Sequence, residues 1–284
     1  MIPAAFEYFA PATVDEALGL LREHSDAKVL AGGQSLMPAL RLRLAAPEVI
    51  VDIQKIDDLR GVRDDGDALV IGAMTPHSTV ESDPLVAEHA RLIALATATV
   101  GDPQIRHRGT FGGSLAHADP AADLPAVAVA LEASFVIAGA DGRRTVPAAE
   151  FFEGVFSTAL GEDELLVEVR VPKYTGWGAH YEKFNRVAQG WSIVSVAAAV
   201  RLDGDSIAEA RVGLGNMGPT PIRATAVEAA LVGQPATADA VREAAARAAD
   251  GTSPVTDING DADYRRHLAT VLTRRAVLAA AGTA

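Results

Sequence analysis

Two glycine pairs, each set between an apolar stretch and a resumed helical pattern, constrain this chain more than any other feature. They stand in AGGQSL at Ala31 to Leu36 and in TFGGSL at Thr110 to Leu115. A pyrophosphate-sized anion carries about two negative charges and needs backbone amides close by, which a Cβ obstructs and paired glycines at a strand-to-helix turn admit. Each amide aimed at a charged group contributes on the order of 1.5–3 kcal/mol, so a few hold the anion without lysine or arginine. Either pair alone also fits a plain turn. Their repetition, each followed by a serine, Ser35 and Ser114, points to a cradle built from both.

The rest of the composition bounds what surrounds the loops. A length of 284 residues exceeds one usual domain, and 49% hydrophobic residues suit a folded chain able to bury a large ligand. A formal net charge of −12 disfavours nucleic acid as a partner. The basic residues Arg41, Arg43, Arg106, Arg108, Arg265, Arg266, Arg274 and Arg275 form no continuous patch and are assigned to helix ends and subunit contacts. With no cysteine, the chain holds no disulfide and no Cys-ligated zinc or iron–sulfur cluster, so a redox cofactor here is organic. The absence of a signal-peptide pattern or of an apolar run of about eighteen residues makes a cytoplasmic location the expectation.

Along the chain, Thr13 and Glu16 have capping-box spacing for a helix to residue 23. A strand over 28–31 enters the first glycine pair, a helix follows over 36–44, and a β-branched strand over 48–53 closes an α/β unit, residues 1–56. Residues 59–73 read as a hairpin turning at 64–67, Thr75-Pro76 as a helix cap with its first-turn proline, and 85–100 as one helix broken at Gly101-Asp-Pro. After the second glycine pair come a helix over 121–131 and strands over 134–138 and 165–171, giving a second α/β unit, residues 57–175. Strands over 180–187, 193–202 and 207–214 and helices over 223–231, 238–250 and 263–281 make an α+β unit, residues 176–284.

A third glycine motif is a decoy. Gly213, Gly215 and Gly218 match GxGxxG after a strand, but Pro219 and Pro221 occupy the place of the phosphate-binding helix, and no acidic strand end follows. The segment HADPAAD, His117 to Asp123, concentrates an imidazole and two carboxylates. Asp119 with Pro120 fits a helix cap, and Asp123 one turn on can accept hydroxyls of a ligand. A metal site is the weaker alternative, with no second ligand cluster nearby and hence no metal expected.

These motifs together resemble the FAD-binding medium subunits of the xanthine dehydrogenase and aerobic carbon monoxide dehydrogenase family, the molybdenum hydroxylases. The likeness runs the length of the chain through FEYFAPATVDEALGLL, VLAGGQSLMPALRLRLAAPEVIVDI, GDPQIRHRGTFGGSLAHADPAADLPA, YEKFNRVAQGWS and NMGPTPIRA. It implies an α+β protein with a vanillyl-alcohol-oxidase (PCMH-type) FAD-binding fold, two α/β subdomains plus a C-terminal α+β domain. By resemblance, Leu30, Ala31, Gly32, Gly33, Gln34, Ser35 and Leu36 with Thr110, Gly112, Gly113 and Ser114 surround the FAD pyrophosphate and adenosine. His117 and Asp123 then lie along the ribityl chain and Leu165 or Leu166 approaches the flavin. Lys183 takes the place of a family lysine near the isoalloxazine carbonyl, its other reading being an exposed strand lysine. Trp191 takes the place of an aromatic stacked on the ring, against the alternative of a core aromatic on a strand.

Two positions depart from the commonest pattern: Gln34 stands where many relatives have histidine, and Ser114 where many have asparagine. The resemblance also implies partners, a large molybdenum subunit and a small subunit with 2Fe-2S clusters, in a dimer of heterotrimers, with membrane association only through the complex. Electrons then pass from the iron–sulfur subunit through FAD to an external acceptor. The lack of cysteine sets the chain apart from the hydroxybenzoyl-CoA reductase branch. A stand-alone FAD-dependent oxidoreductase of the same fold and a cofactor-free scaffold are the alternatives.

Overall fold

The computed structural model describes residues 1–283, which build three main sheets in succession and one small two-stranded sheet. The first contains β1 (Glu7–Phe9), α1 (Val14–Glu23), β2 (Lys28–Leu30), α2 (Leu36–Leu42) and β3 (Val49–Asp52), with all strands parallel in the order β1-β3-β2. Parallel neighbours need crossovers, and α1 and α2 supply them. The Thr13 hydroxyl accepts from the Glu16 amide at 3.2 Å, as the capping spacing requires. The reciprocal bond shifts by one residue, because the Glu16 carboxylate accepts from Ala12 at 2.8 Å.

The second sheet opens with the hairpin β4 (Val62–Asp65) and β5 (Ala68–Gly72). Six short helices follow: α3 (His77–Ser82), α4 (Pro84–His89), α5 (Arg91–Thr97), α6 (Pro103–Arg108), α7 (Phe111–His117) and α8 (Asp123–Ala130). Then come β6 (Ser134–Gly139), β7 (Gly142–Pro147), α9 (Ala148–Phe151), the small hairpin β8 (Phe152–Gly154) and β9 (Ser157–Thr158), and β10 (Leu165–Pro172). The order is β4-β5-β10-β6-β7 with every pairing antiparallel, so this unit is not α/β in the parallel sense expected.

The third sheet is antiparallel, with β11 (Gly178–Phe184), β12 (Val194–Asp203), β13 (Ser206–Gly215) and β14 (Ile222–Arg223) in chain order. It is backed by α10 (Thr225–Leu231), α11 (Ala238–Ala245) and α12 (Ala262–Ala280). Among the described residues no helix is long and apolar enough to cross a membrane.

Burial on both faces joins these units. Val136, Ala138, Leu165 and Val167 of the middle sheet pack with Ala17, Leu18, Leu21, Val49 and Val51 of the first unit. The opposite face sends Phe135, Ile137, Leu166 and Val169 against α5, α7 and α8. In β12, Val194, Val196, Ala198 and Val200 face the C-terminal helices, while Ala197 and Ala199 join the middle core. Strands buried on both sides read as continuous apolar runs. After Asp123, helix α8 is apolar around its whole circumference, and all eight of its residues are buried.

Three local expectations are corrected. Residues 85–100 form two helices parted at Ala90, whose backbone leaves the helical region (φ −145°, ψ 46°). The proline-led cap sits one helix later than expected, where Asp83 accepts from Leu85 and Val86 with Pro84 in the first turn. The Thr75 hydroxyl instead binds the backbone of Gly61, accepting at 2.9 Å and donating at 3.1 Å, so Pro76 occupies the cap position of α3.

Candidate cofactor site

The two glycine loops are interlocked. A Cβ on Gly32 would collide with the Arg108 carbonyl and lie 2.6 Å from the Gly109 Cα, so only glycine lets the first loop reach the backbone that enters the second. One on Gly112 would stand 2.6 Å from the Ala73 Cα, which seats α7 on the end of β5. Gly113 brings the second loop beside Ala31, with a Cβ built there 3.3 Å from that of Ala31. Arg108 Nη2 donates to Gln54 Oε1 at 2.9 Å and ties the same junction from the side.

The division of labour between the loops differs from the symmetrical expectation. Among the described residues, none of the backbone amides of Gly32, Gly33, Gln34, Ser35 and Leu36 has a protein acceptor. In the second loop they are engaged: Phe111 donates to Thr75, Gly112 to Ala73, Ser114 to the Thr110 carbonyl and Gly113 to the Thr110 hydroxyl. The first loop therefore keeps its donors free, while the second spends its own on protein and braces the first. Gln34 is exposed and donates its amide to the Gly32 carbonyl at 3.2 Å. Ser35 makes no capping bond to α2, and Ser114 is half-buried in the first turn of α7.

The residues beyond the loops divide into those partly open to solvent and those buried among protein partners. His117 is half-buried, with its ring 4.9 Å from that of Phe156. Burial pushes its pKa down, against a smaller upward pull from Asp119. Trp191 is 60% exposed and precedes β12, which removes the core-aromatic alternative.

Asp119 does not cap a helix. It accepts from Ala121 at 2.9 Å in a turn, and α8 begins only after Ala122. Asp123 is turned inward and buried, accepting from the Tyr181 hydroxyl at 2.7 Å and from Lys183 Nζ at 2.9 Å, so both oxygens are taken by protein donors. The Lys183 side chain is 7% exposed, and its ammonium also donates to the Thr99 carbonyl at 3.1 Å, which excludes the exposed-lysine alternative. Leu165 and Leu166 are both 4% exposed and point into different cores, so neither offers its side chain to an open surface.

Around these residues the HADPAAD segment docks the C-terminal unit. Ser192 Oγ donates to the Ala121 carbonyl at 2.8 Å, and the Asn216 amide donates to Pro120 at 2.8 Å. Asn216 Nδ2 reaches the Ser192 carbonyl at 2.8 Å. Asn216 lies inside the GxGxxG decoy, whose Gly213 allows β13 to touch the backbone of α8 at Ala126. The fully buried Arg265, in the first turn of α12, donates to the Ile193 carbonyl and pairs with Asp257 at 2.8 Å, so it sits at a helix end but makes no subunit contact.

These holders escaped sequence reading. The signal for α6 was present, since Asp102-Pro103 is a cap with a first-turn proline and Asp102 accepts from Ile105 at 2.9 Å. For Asn216 and Arg265 no local pattern marks the role.

His77 lies beneath the second loop, 3% exposed, with Nδ1 unpartnered and Gly109 packed against its ring. Burial, with a smaller contribution from Arg106, pushes its pKa from 6.5 to about 4. The unfolded chain binds this proton at a pH where the folded one refuses it. Stability from His77 is therefore intact above the unfolded value and falls as the pH drops from 6.5 to about 4, by about 3 kcal/mol. His77→Gln is expected to flatten this acid limb in urea unfolding followed against pH; an unchanged slope contradicts it.

Two interlocked glycine loops, the first with a free run of backbone amides, have the form of a dinucleotide-binding subunit. Residues 4–174 match the family model described as the FAD binding domain in molybdopterin dehydrogenase. Residues 179–280 match that of the CO dehydrogenase flavoprotein C-terminal domain. The chain is 44% identical to the carbon monoxide dehydrogenase medium chain of Hydrogenophaga pseudoflava, covering 99% of this chain and 98% of that one. It is 36% identical to the glyceraldehyde dehydrogenase medium chain of Sulfolobus acidocaldarius, covering 97% and 98%. A solved carbon monoxide dehydrogenase structure from Hydrogenophaga pseudoflava superposes with a TM-score of 0.96 at 46% identity, covering 100% of this chain and 99% of that one. The chain belongs to the family of FAD-binding medium subunits of molybdenum hydroxylases.

Proposed function

We propose that this chain holds FAD across residues 1–56 and 57–175, with residues 176–284 closing the flavin end. It then takes electrons from an iron–sulfur subunit and passes them to an external acceptor. The observation that carries the proposal is the run of five unpartnered amides from Gly32 to Leu36, braced by the second glycine loop. A pyrophosphate supplies the acceptors those amides lack, so the residues fit the cofactor. Leu30, Ala31, Gln34 and the Ser35 hydroxyl complete the first wall, and Thr110, Gly112, Gly113 and Ser114 the second. His117 borders the ribityl chain, and Lys183 and Trp191 border the isoalloxazine. Asp123, Leu165 and Leu166 support these from behind.

When bound, FAD supplies a store for two electrons that a one-electron donor can fill stepwise. The chain's own residues bind, orient and shield that store. The fixed Lys183 ammonium favours negative charge in its vicinity, and Trp191 offers a planar cover at the open end.

With no cysteine in the chain, the clusters sit in a partner. A large molybdenum subunit and a small 2Fe-2S subunit in a dimer of heterotrimers fit this need, and the whole complex is placed in the cytoplasm. The test is co-expression with those partners. Visible flavin absorbance that bleaches on adding the substrate of the large subunit and returns with acceptor is expected; a complex that assembles without flavin overturns the proposal.

A further inference from the structure

The Asp123 carboxylate is the charge on which the junction between α8 and the C-terminal sheet turns, and β11 meets it with two groups. Lys183 supplies a counter-ion at 2.9 Å, itself 7% exposed, while the buried Tyr181 phenol donates at 2.7 Å to the other oxygen. β11 has neighbouring side chains on opposite faces, so the pair Tyr181 and Lys183, two residues apart, falls on the side that faces α8.

The other elements packed on α8 are α5, α7, α9, β12, β13 and β14, and among the described residues none brings a further ionisable group that acts on the carboxylate. Burial drives the carboxyl of Asp123 toward its neutral form, and only Lys183 and Tyr181 oppose it. A neutral Asp123 would leave the Lys183 ammonium with the Thr99 carbonyl alone, a poor partner for a buried cation.

We propose that Tyr181 is a positioning residue: its hydroxyl keeps the Asp123 carboxylate ionised, and the ionised carboxylate fixes the Lys183 ammonium at the seam between α8 and the C-terminal sheet. Tyr181 is buried, donates its hydroxyl to Asp123, and acts through Asp123 and Lys183. The stability part of the proposal stands on the network alone; the electrochemical part rests on the proposed place of Lys183 beside the flavin.

The experiment uses the complete complex with wild-type chain, Tyr181→Phe, and both chains again in a neutral background in which Asp123→Asn and Lys183→Met remove the two charges together. Thermal midpoints are measured from acid to mildly alkaline pH, and the flavin midpoint potential is titrated over the same range for wild type and Tyr181→Phe. Tyr181→Phe is expected to retain FAD and to lose thermal stability increasingly as the pH rises, because the missing donor matters only to the charged carboxylate. Its potential-against-pH curve is expected to break about one to two pH units above the break in wild type, the size of one charge-assisted hydrogen bond. In the neutral background the same change is expected to have a small, pH-independent effect.

A constant thermal loss across pH in the otherwise native chain, or an equal pH-dependent loss in the neutral background, overturns the proposal. A potential curve that superposes on wild type with FAD in place, beside a pH-dependent thermal loss, supports the network and removes Lys183 from the flavin's neighbourhood. If Tyr181→Phe alone fails to assemble, recovery of assembly in the neutral background supports the charge-holding role, and failure there too overturns it. A wild-type complex that contains no flavin removes the FAD reading while leaving the thermal comparison decisive for Tyr181.

Discussion

Gly32→Val is expected to leave the complex without FAD while the chain still folds. Even the first carbon of the new side chain meets the Arg108 carbonyl and stands 2.6 Å from the Gly109 Cα, both of them backbone, which cannot swing aside as a side chain does. The loops must part, and the run of amides from Gly32 to Leu36 no longer converges. Losing two charge-assisted bonds of the cradle, each on the order of 1.5–3 kcal/mol, weakens FAD binding by at least about a hundredfold. Overpacking adds a stability loss of about 1–3 kcal/mol. Released flavin measured after denaturing the purified complex reads the effect. Gly19→Ala, in α1 with no atom within 4 Å of the new carbon, is the control and should bind FAD as wild type does. Full occupancy in Gly32→Val means that the interlock does not shape the cofactor site.

Asp123→Ala is the second large effect, and it strikes stability first. The substitution strands a buried ammonium and a buried phenol at the seam where the C-terminal sheet meets α8. Removing one partner of a buried ion pair costs about 3–5 kcal/mol. Urea unfolding of the complex should show the loss, with proteolysis after residue 175 as a second readout of the loosened unit. A loss under about 1 kcal/mol, the range of an exposed pair, would mean that the seam is held by Ser192 and Asn216 alone.

Much of the fold was legible because its signals are local. The Thr13 cap, the turn at Gly66, the β-branched run of β3 and the helical spacing of α10, α11 and α12 each state their conformation within a few residues. The break inside 85–100 was not, because Ala90 is an ordinary helix former and leaves the helix only as tertiary packing demands. Of the site, the pairing of AGGQSL with TFGGSL was visible as composition, and the long run of family motifs gave it meaning. The inward turn of Asp123 was hidden, since a carboxylate in the first turn of a helix looks the same in sequence whether it faces a ligand or a lysine sixty residues away.

The sequence by itself determined that this chain carries two cradle-like loops, no cysteine ligands and the ordered motifs of an FAD-binding medium subunit. Those are properties of residue type and short spacing. Tertiary structure alone decided that the first loop keeps its amides free while the second spends them on Thr75, Ala73 and Thr110. It decided too that Tyr181, Asp123 and Lys183 form one buried network and that Arg265 lies in a core. Whether a polar group faces a ligand or a protein partner depends on which distant segment packs over it. Burial then enforces the choice, since a charge or amide removed from water must find its partner wherever the fold has placed one.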